Sequence, residues 1–279
     1  MNIQFSLTVP EGKALMARAV CRLPQVEKAL QSGKILLKGG TTVSEIAHIL
    51  IGIRLRISGR ISPRGTMACM GDSPHPHSIL VENGEAVNVD DVLEDVVSSM
   101  GPGDIAVISA NAIDTEGNAA MMAGAELGGK PGRIISGLMA EGLEILIPAG
   151  LEKLIPGKIA DAVRAAGRKK PDSSMGMSVG LIPIIGKVFT ELDAIRALSG
   201  IEPVIIGRGG IQGAEGATVF AVEGPPEQIE KLMELIFEVK NQAAYKHEDE
   251  SLKECRPGSP GCKTHHACMY RRRYRWQKE

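Results

Sequence analysis

Lys34-Ile35-Leu36-Leu37-Lys38-Gly39-Gly40-Thr41-Thr42-Val43-Ser44-Glu45-Ile46-Ala47-His48-Ile49-Leu50 joins an aliphatic run to a glycine pair and then to apolar residues at helical spacing. The run predicts a buried strand, the glycines a tight turn, and Thr41 or Thr42 an N-cap for the helix that follows. Strand, glycine turn and helix together form the unit that opens a parallel α/β sheet. The unit recurs downstream. DIAVISAN (104–111) predicts a second buried strand, and Gly128-Gly129-Lys130-Pro131-Gly132-Arg133 precedes the helical run RIISGLMAEG. EILIPAG (144–150) adds a strand and LEKLIPGKIADAVRAAG (151–167) a helix. This alternation predicts an open, mostly parallel sheet with helices on both faces.

The remaining segments fit around that frame. EGKALMARAVCRL and PQVEKALQSG, between residues 11 and 33, read as amphipathic helices. IRLRISGRISPRGT (53–66) alternates apolar and basic residues and predicts a strand followed by a loop carrying Arg60 and Arg64. SILVENGEAVNV places Asn83-Gly84 between two alternating segments, the signature of a two-residue hairpin. Asp90-Asp91 then start a helix over VDDVLEDVVSSM (89–100). RKKPDSS (168–174) is polar, contains Pro171 and suits a linker. It divides an α/β ligand-binding domain at 1–170 from residues 171–245, whose order of strand, helix, two strands and helix predicts a small ferredoxin-like α+β domain. Residues 246–279 form a basic, Cys/His-rich tail without hydrophobic periodicity.

Composition excludes several classes. The chain has 279 residues, 43% of them hydrophobic, enough to fill a core in each domain. Its 32 basic and 33 acidic side chains nearly cancel, so the whole molecule offers no field to gather nucleic acid or an anionic membrane. No apolar run approaches the roughly 18 residues a membrane span needs, and the opening residues lack a signal-peptide pattern. A cytoplasmic protein is expected. The five cysteines, three of them in the tail, are not a secreted disulfide framework.

Two glycine loops carry the functional reading. Gly39, Gly40, Thr41 and Thr42, and again Gly128, Gly129 and Arg133, sit where a strand gives way to a helix, so unpaired backbone N–H groups and a positive helix end make an anion site. In an open α/β sheet such loops lie beyond the carboxyl ends of the strands. The same glycines serve equally well as tight turns, and neither loop matches a Walker or dinucleotide fingerprint. Arg60, Arg64 and Arg133 are candidates to add charge. Asn111, Asp114, Glu116 and Asn118 follow the DIAVIS strand toward the same crevice; the two carboxylates are candidates for orienting a hydroxyl or acting as a base, and the segment is also good turn chemistry. His75 and His77 are either a proton relay or metal ligands, or simply an exposed loop. In the tail, Cys255, Cys262, His265, His266 and Cys268 are soft donors suited to Zn²⁺ or an iron–sulfur cluster, the alternative being a redox-sensitive tail. The run Arg271-Arg272-Arg273-Tyr274-Arg275-Trp276 suits RNA or an acidic partner, or else a solubilising terminus.

The order of elements resembles the superfamily of glucosamine-6-phosphate deaminase, ribose-5-phosphate isomerase and CoA-transferases. KILLKGGTTVSEIAHIL looks like its first glycine loop and helix, and GDIAVISANAIDTEGNAAMM is similar to a segment of CoA-transferase subunits. SANAID, EGNAAMMAGAELGGKPGRI and EILIPAGLEKLIP look like the lactate-utilisation branch, whose members accompany iron–sulfur proteins. The resemblance covers roughly residues 33–167. It implies a phosphorylated, carboxylated or CoA-type ligand and a homo-oligomer built through sheet edges and helices. Glu82, in Glu-Asn-Gly, is the counterpart of the CoA-transferase nucleophile by motif, although hairpin chemistry explains the same residues. The isomerase's Asp-Gly-Ala-Asp-Glu and Lys-Gly-Gly-Gly segments have no counterpart here. Two functions are therefore expected: an enzyme or binding protein for a small anionic metabolite, or a non-catalytic sensor or redox accessory protein with a metal-binding tail.

Overall fold

The computed structural model describes residues 1–69, 73–241 and 254–270. The chain opens with strand β1 (Asn2–Leu7), helices α1 (Val9–Val20) and α2 (Pro24–Ser32), strand β2 (Lys34–Lys38) and helix α3 (Thr41–Ile51). Two hairpins follow, β3 (Gly59–Ser62) with β4 (Gly65–Ala68) and β5 (Ser78–Glu82) with β6 (Glu85–Asn88), then α4 (Leu93–Ser98) and β7 (Ile105–Ile108). Strands β8 (Ala112–Ile113) and β9 (Ala119–Ala123) lead to α5 (Gly129–Ala140), β10 (Glu144–Pro148) and α6 (Ile159–Ala165). Last come β11 (Gly180–Ile184), β12 (Lys187–Phe189), α7 (Glu191–Ser199), β13 (Pro203–Gly209), β14 (Ala217–Glu223) and α8 (Pro226–Asn241).

Strands β12, β10, β7 and β2 lie side by side in parallel, and β5 and β6 extend that sheet antiparallel. The strand pleat divides the core in two. Ile35, Leu37, Ile105, Val107 and Leu146 turn to one face, where they pack with α1, α3, α7 and α8. Leu36, Ala106, Ile108, Ile145 and Ile147 turn to the other and meet α4, α5 and β9. Both faces are covered, as aliphatic runs without alternation require. The expected hairpin forms at Asn83-Gly84, both with positive φ (51° and 77°), the conformation a two-residue primed turn demands. No helix among the described residues is long and apolar enough to cross a membrane.

Four expectations change in the structure. The strands of the expected ferredoxin-like unit at 171–245 do not share one sheet: β13 and β14 pair with each other and with β1, while β11 joins β9 and β12 joins the edge of the main sheet. Asn2 to Leu7 alternates polar and apolar, and its apolar set (Ile3, Phe5, Leu7) faces the core beneath β14, with Phe5 stacked on Phe220 at 5.5 Å. Residues 53–58, read as a strand, instead run irregularly across the end of the sheet; Leu55 N–H donates to Ser44 Oγ and Arg56 N–H to the Pro76 carbonyl, so the backbone is satisfied without a ladder. The helices expected at 89–100 and 151–167 shrink to α4 and α6, the second delayed past Pro156-Gly157.

Where the two outer elements α1 and α7 meet, a carboxylate is buried. Glu191 begins α7, is 4% exposed and accepts a hydrogen bond from Leu151 N–H at 2.9 Å. Gly12 on α1 leaves the room: a Cβ there would stand 2.6 Å from Glu191 Oε1. Burial, and then the charge of Glu152, push the Glu191 carboxyl up to about 7. An acid whose affinity for its proton rises on folding contributes most below the ordinary carboxylate range, and that contribution is lost as pH climbs toward 7. Glu191→Gln keeps a carbonyl oxygen for Leu151 N–H. Its thermal midpoint is expected to match wild type near about pH 4 and to exceed it near about pH 8, by a stability difference on the order of 3 kcal/mol at most. Parallel melting curves across that range would contradict the burial of a titrating carboxylate.

Candidate functional site

Parallel pairing of β2 with β7 brings the ends of both strands to one level, with Lys38 opposite Ile108. The chain leaves β2 through Gly39-Gly40 into α3 and leaves β7 through Ser109, Ala110 and Asn111. Gly39 has to be glycine, because a side chain there would drive into the His77 imidazole; its N–H donates to the His77 carbonyl at 2.6 Å. The amides of Thr41, Thr42 and Val43 precede the first intrahelical bond of α3, from Ser44 N–H to the Gly40 carbonyl at 2.8 Å. Across the crevice α5 starts at Gly129 with Gly128 as its N-cap, both with positive φ (68° and 81°). A cavity of about 660 Å³ opens between them, lined by both glycine loops, by residues 56–61, by Asn111 and by the end of β9.

Basic groups dominate its walls. Arg56 pairs with Asp90 at 3.3 Å, Arg60 with Glu254 at 3.4 Å, and Lys130 with Asp91 at 2.9 Å. Two deeper lysines have no such carboxylate contact. Lys38 is only 7% exposed, and burial alone drops its ammonium to about 8; among the described residues no side-chain hydrogen bond or ion pair holds it. Lys153 donates to Ser109 Oγ at 2.8 Å; burial lowers it to about 8, while the Glu152 carboxylate pulls it back up. His77 Nδ1 lies 2.9 Å from the Arg56 carbonyl and so carries the proton, which leaves Nε2 as a buried lone pair without a partner. Burial, then the neighbouring Lys38 charge, push this histidine down to about 4. It is uncharged at neutral pH.

Of the residues singled out in the sequence, Gly39, Gly40, Thr41, Arg60, Asn111, Gly128 and Gly129 line this cavity. Thr42 lies one residue further into α3, fully buried and away from the lining. Arg133 sits a turn into α5 and pairs with Glu94 at 3.6 Å on the surface. Asp114 serves its own loop: Glu116 N–H, Asn118 N–H, Asn118 Nδ2 and Ile159 N–H all donate to it, between 2.9 and 3.2 Å. Burial opposes its charge, yet those bonds hold the carboxyl below the usual carboxylate range. Glu116 pairs with Lys158 at 2.7 Å, and Asn118 closes the turn, so this segment is turn chemistry set off from the cavity. Glu82 lies at the hairpin, opposite Lys34 at 3.7 Å, at the other end of its strand from the cavity. His75 is absent from the lining and His77 belongs to it.

Residues 254–270 dock against the rim. Cys255 N–H donates to the Ala68 carbonyl, Ser174 N–H donates to the Ala267 carbonyl and its own carbonyl accepts from Met269 N–H, and Tyr270 Oη–H donates to the Arg64 carbonyl beneath the Arg64 guanidinium. His265 reaches the cavity wall, while Ser178 Oγ–H donates to the His266 carbonyl. Burial raises the Cys255 thiol, and Cys262 and Cys268 raise it further; Cys69, across the Ala68 contact, feels Cys255 in turn. Among the described residues no three His, Cys, Asp or Glu side chains group so as to hold a metal ion. The basic run 271–276 lies outside the described residues.

Sequence reasoning missed Lys38, Lys153 and His77's partnership with Gly39. Lys38 follows the apolar run Ile35-Leu36-Leu37 directly before the glycine pair, which is the one signal that marked it. No protein-family description, curated protein or solved structure matches this chain.

Proposed function

We propose that the protein binds a small anionic metabolite, phosphorylated, carboxylated or of CoA type, in the cavity between the two glycine loops, as an enzyme or binding protein of the sugar-phosphate isomerase and CoA-transferase type. The observation that carries this reading is the pair of lysines, buried Lys38 and half-buried Lys153, that line a cavity onto which two helix starts converge. A cation kept out of water without a carboxylate is costly, and an anion arriving in the cavity relieves that cost. The amides at Thr41 and Gly129 add partial positive charge from the same side. A volume of about 660 Å³ is that of an ordinary metabolite pocket. A sugar phosphate, 2-hydroxy acid, nucleotide or acyl-CoA each presents the required charge.

A second reading is favoured by the docking of residues 254–270 on the cavity rim: a non-catalytic sensor in which occupancy of the cavity is reported through the Cys/His segment. Cys255, Cys262 and Cys268, with Cys69 across the strand contact, are the donors that segment offers to Zn²⁺ or an iron–sulfur cluster.

Thermal-shift screening with those four ligand classes, followed by calorimetry, is expected to give at least one binder whose affinity falls with salt. Lys153→Met should weaken that binder roughly ten- to hundredfold, the cost of losing one charged hydrogen bond in a buried site; unchanged affinity in the variant, or no binder from any class, would overturn the cavity as an anion site. For the second reading, metal analysis of the purified protein should find Zn or Fe that Cys255→Ser loses; protein free of both metals removes the sensor.

A further inference from the structure

Buried lysines in stable folds are held by carboxylates or carbonyl oxygens, because an unpaired ammonium away from water destabilises the fold. Lys38 has neither. It ends the central strand β2, its aliphatic stem is enclosed, and its lowered proton affinity has desolvation as the sole cause. Lys153 differs: it donates to Ser109 Oγ, which itself donates to the Pro148 carbonyl, and it has Glu152 and Glu191 for neighbours, so it remains an ammonium fixed in place. The cavity thus holds two lysines of unlike character. One is anchored by a hydroxyl and two nearby carboxylates, suited to holding an anion. The other makes no side-chain hydrogen bond among the described residues, so its Nζ is at liberty to meet a ligand in the cavity; burial lowers both ammonium groups to about 8, and the difference between them is this geometry.

We infer that Lys38 is a nucleophile that forms an imine with the carbonyl carbon of an aldehyde or ketone whose carboxylate or phosphate is held by Lys153 and the two helix starts. This deepens the anion-binding reading and rests on it. The step balances within the site and solvent. Lys38 loses a proton to water; its Nζ lone pair adds to the carbonyl carbon, the C=O π pair moves to oxygen, and the nitrogen's proton passes to that oxygen to give a carbinolamine. The hydroxyl then takes up a proton and departs as water while the nitrogen lone pair closes the C=N bond. His77 stands beside this chemistry as a neutral imidazole: its Nδ1 proton is committed to the Arg56 carbonyl, and its Nε2 lone pair is buried and unpartnered. It adds no competing positive charge to an amine that has to lose its proton. Gly39, between Lys38 and α3, brings that ring against the backbone next to the nucleophile, which a side chain would prevent.

The full-length protein tests the assignment with four carbonyl probes: pyruvate, glyoxylate, glyceraldehyde 3-phosphate and pyridoxal 5′-phosphate. Each is incubated with protein, reduced with borohydride and mapped by peptide mass spectrometry, with lactate and glycerol 3-phosphate as matched anions lacking a carbonyl, and calorimetry for binding. The expected result is a single adduct per chain on the peptide containing Lys38, suppressed by a matched anion and absent from Lys38→Arg, whose guanidinium stays charged. If the anions bind but no adduct forms on Lys38, or adducts fall on Lys153 or scatter over exposed lysines, the imine is overturned and the anion pocket stands. If none of the probes or matched anions binds, the imine and the anion-binding reading fall together.

Discussion

Parallel pairing between β2 and β7 is the constraint from which the rest follows. Four residues of register, Ile35 with Ile105 through Lys38 with Ile108, end both strands at one level and release two loops into the same crevice. Because each strand buries alternate residues in a different core, a slip of one position would turn Leu36 and Ala106 into the wrong layer, and the hydrophobic pattern resists it. The register therefore holds Lys38 at the cavity floor as firmly as it holds the aliphatic residues beneath it. Covalent order does the remainder: an extended strand cannot turn into a helix within two residues unless those residues are small, and Gly39 and Gly40 are pressed against His77 and Ser109.

Charge in the cavity is arranged by depth. Near the mouth each arginine and lysine has a carboxylate partner, and such partly exposed pairs add little to stability. Below them Lys153 has a hydroxyl contact and the nearby charges of Glu152 and Glu191, and Lys38 has no carboxylate partner among the described residues; burial brings both down to about 8. The same low-dielectric surroundings act behind the cavity, where burial raises the Glu191 carboxyl to about 7. A protein that retains such groups tolerates a cost to its folded state, and functional sites are where costs of that kind collect.

Much of this was legible in the sequence. Aliphatic runs followed by glycine gave the α/β class, and Asn83-Gly84 gave a hairpin because only that turn accommodates two positive φ angles in so short a link. Gly39 to Thr41, Asn111 and Gly128-Gly129 are where the strand-then-helix pattern placed them, since such loops always leave a parallel sheet at one edge. What could not be read is what depends on distant partners. β1 alternates cleanly, yet its partner β14 lies at the far end of the chain, and no local signal names that pairing. The expected ferredoxin-like sheet is divided for the same reason: β13 and β14 pair as neighbours, but β11 finds β9 and the third strand beside β14 is β1. Asp114 misled because a carboxylate that folds its own turn has the same sequence as one that waits for a ligand. Lys38 was passed over because a lysine closing a strand is ordinarily a solvated end, and only the packing around His77 and β5 makes it a buried one.

The central claim is that burial weakens the proton affinity of two lysines that line an anion-seeking cavity, and NMR titration of lysines labelled with ¹⁵N at Nζ reads it directly. The account predicts two Nζ signals that titrate near 8 in the free protein, well below the ordinary lysine value of 10.5, and that move upward when inorganic phosphate or pyruvate is added. Lysines that all titrate in the ordinary range, with or without an anion, would contradict it.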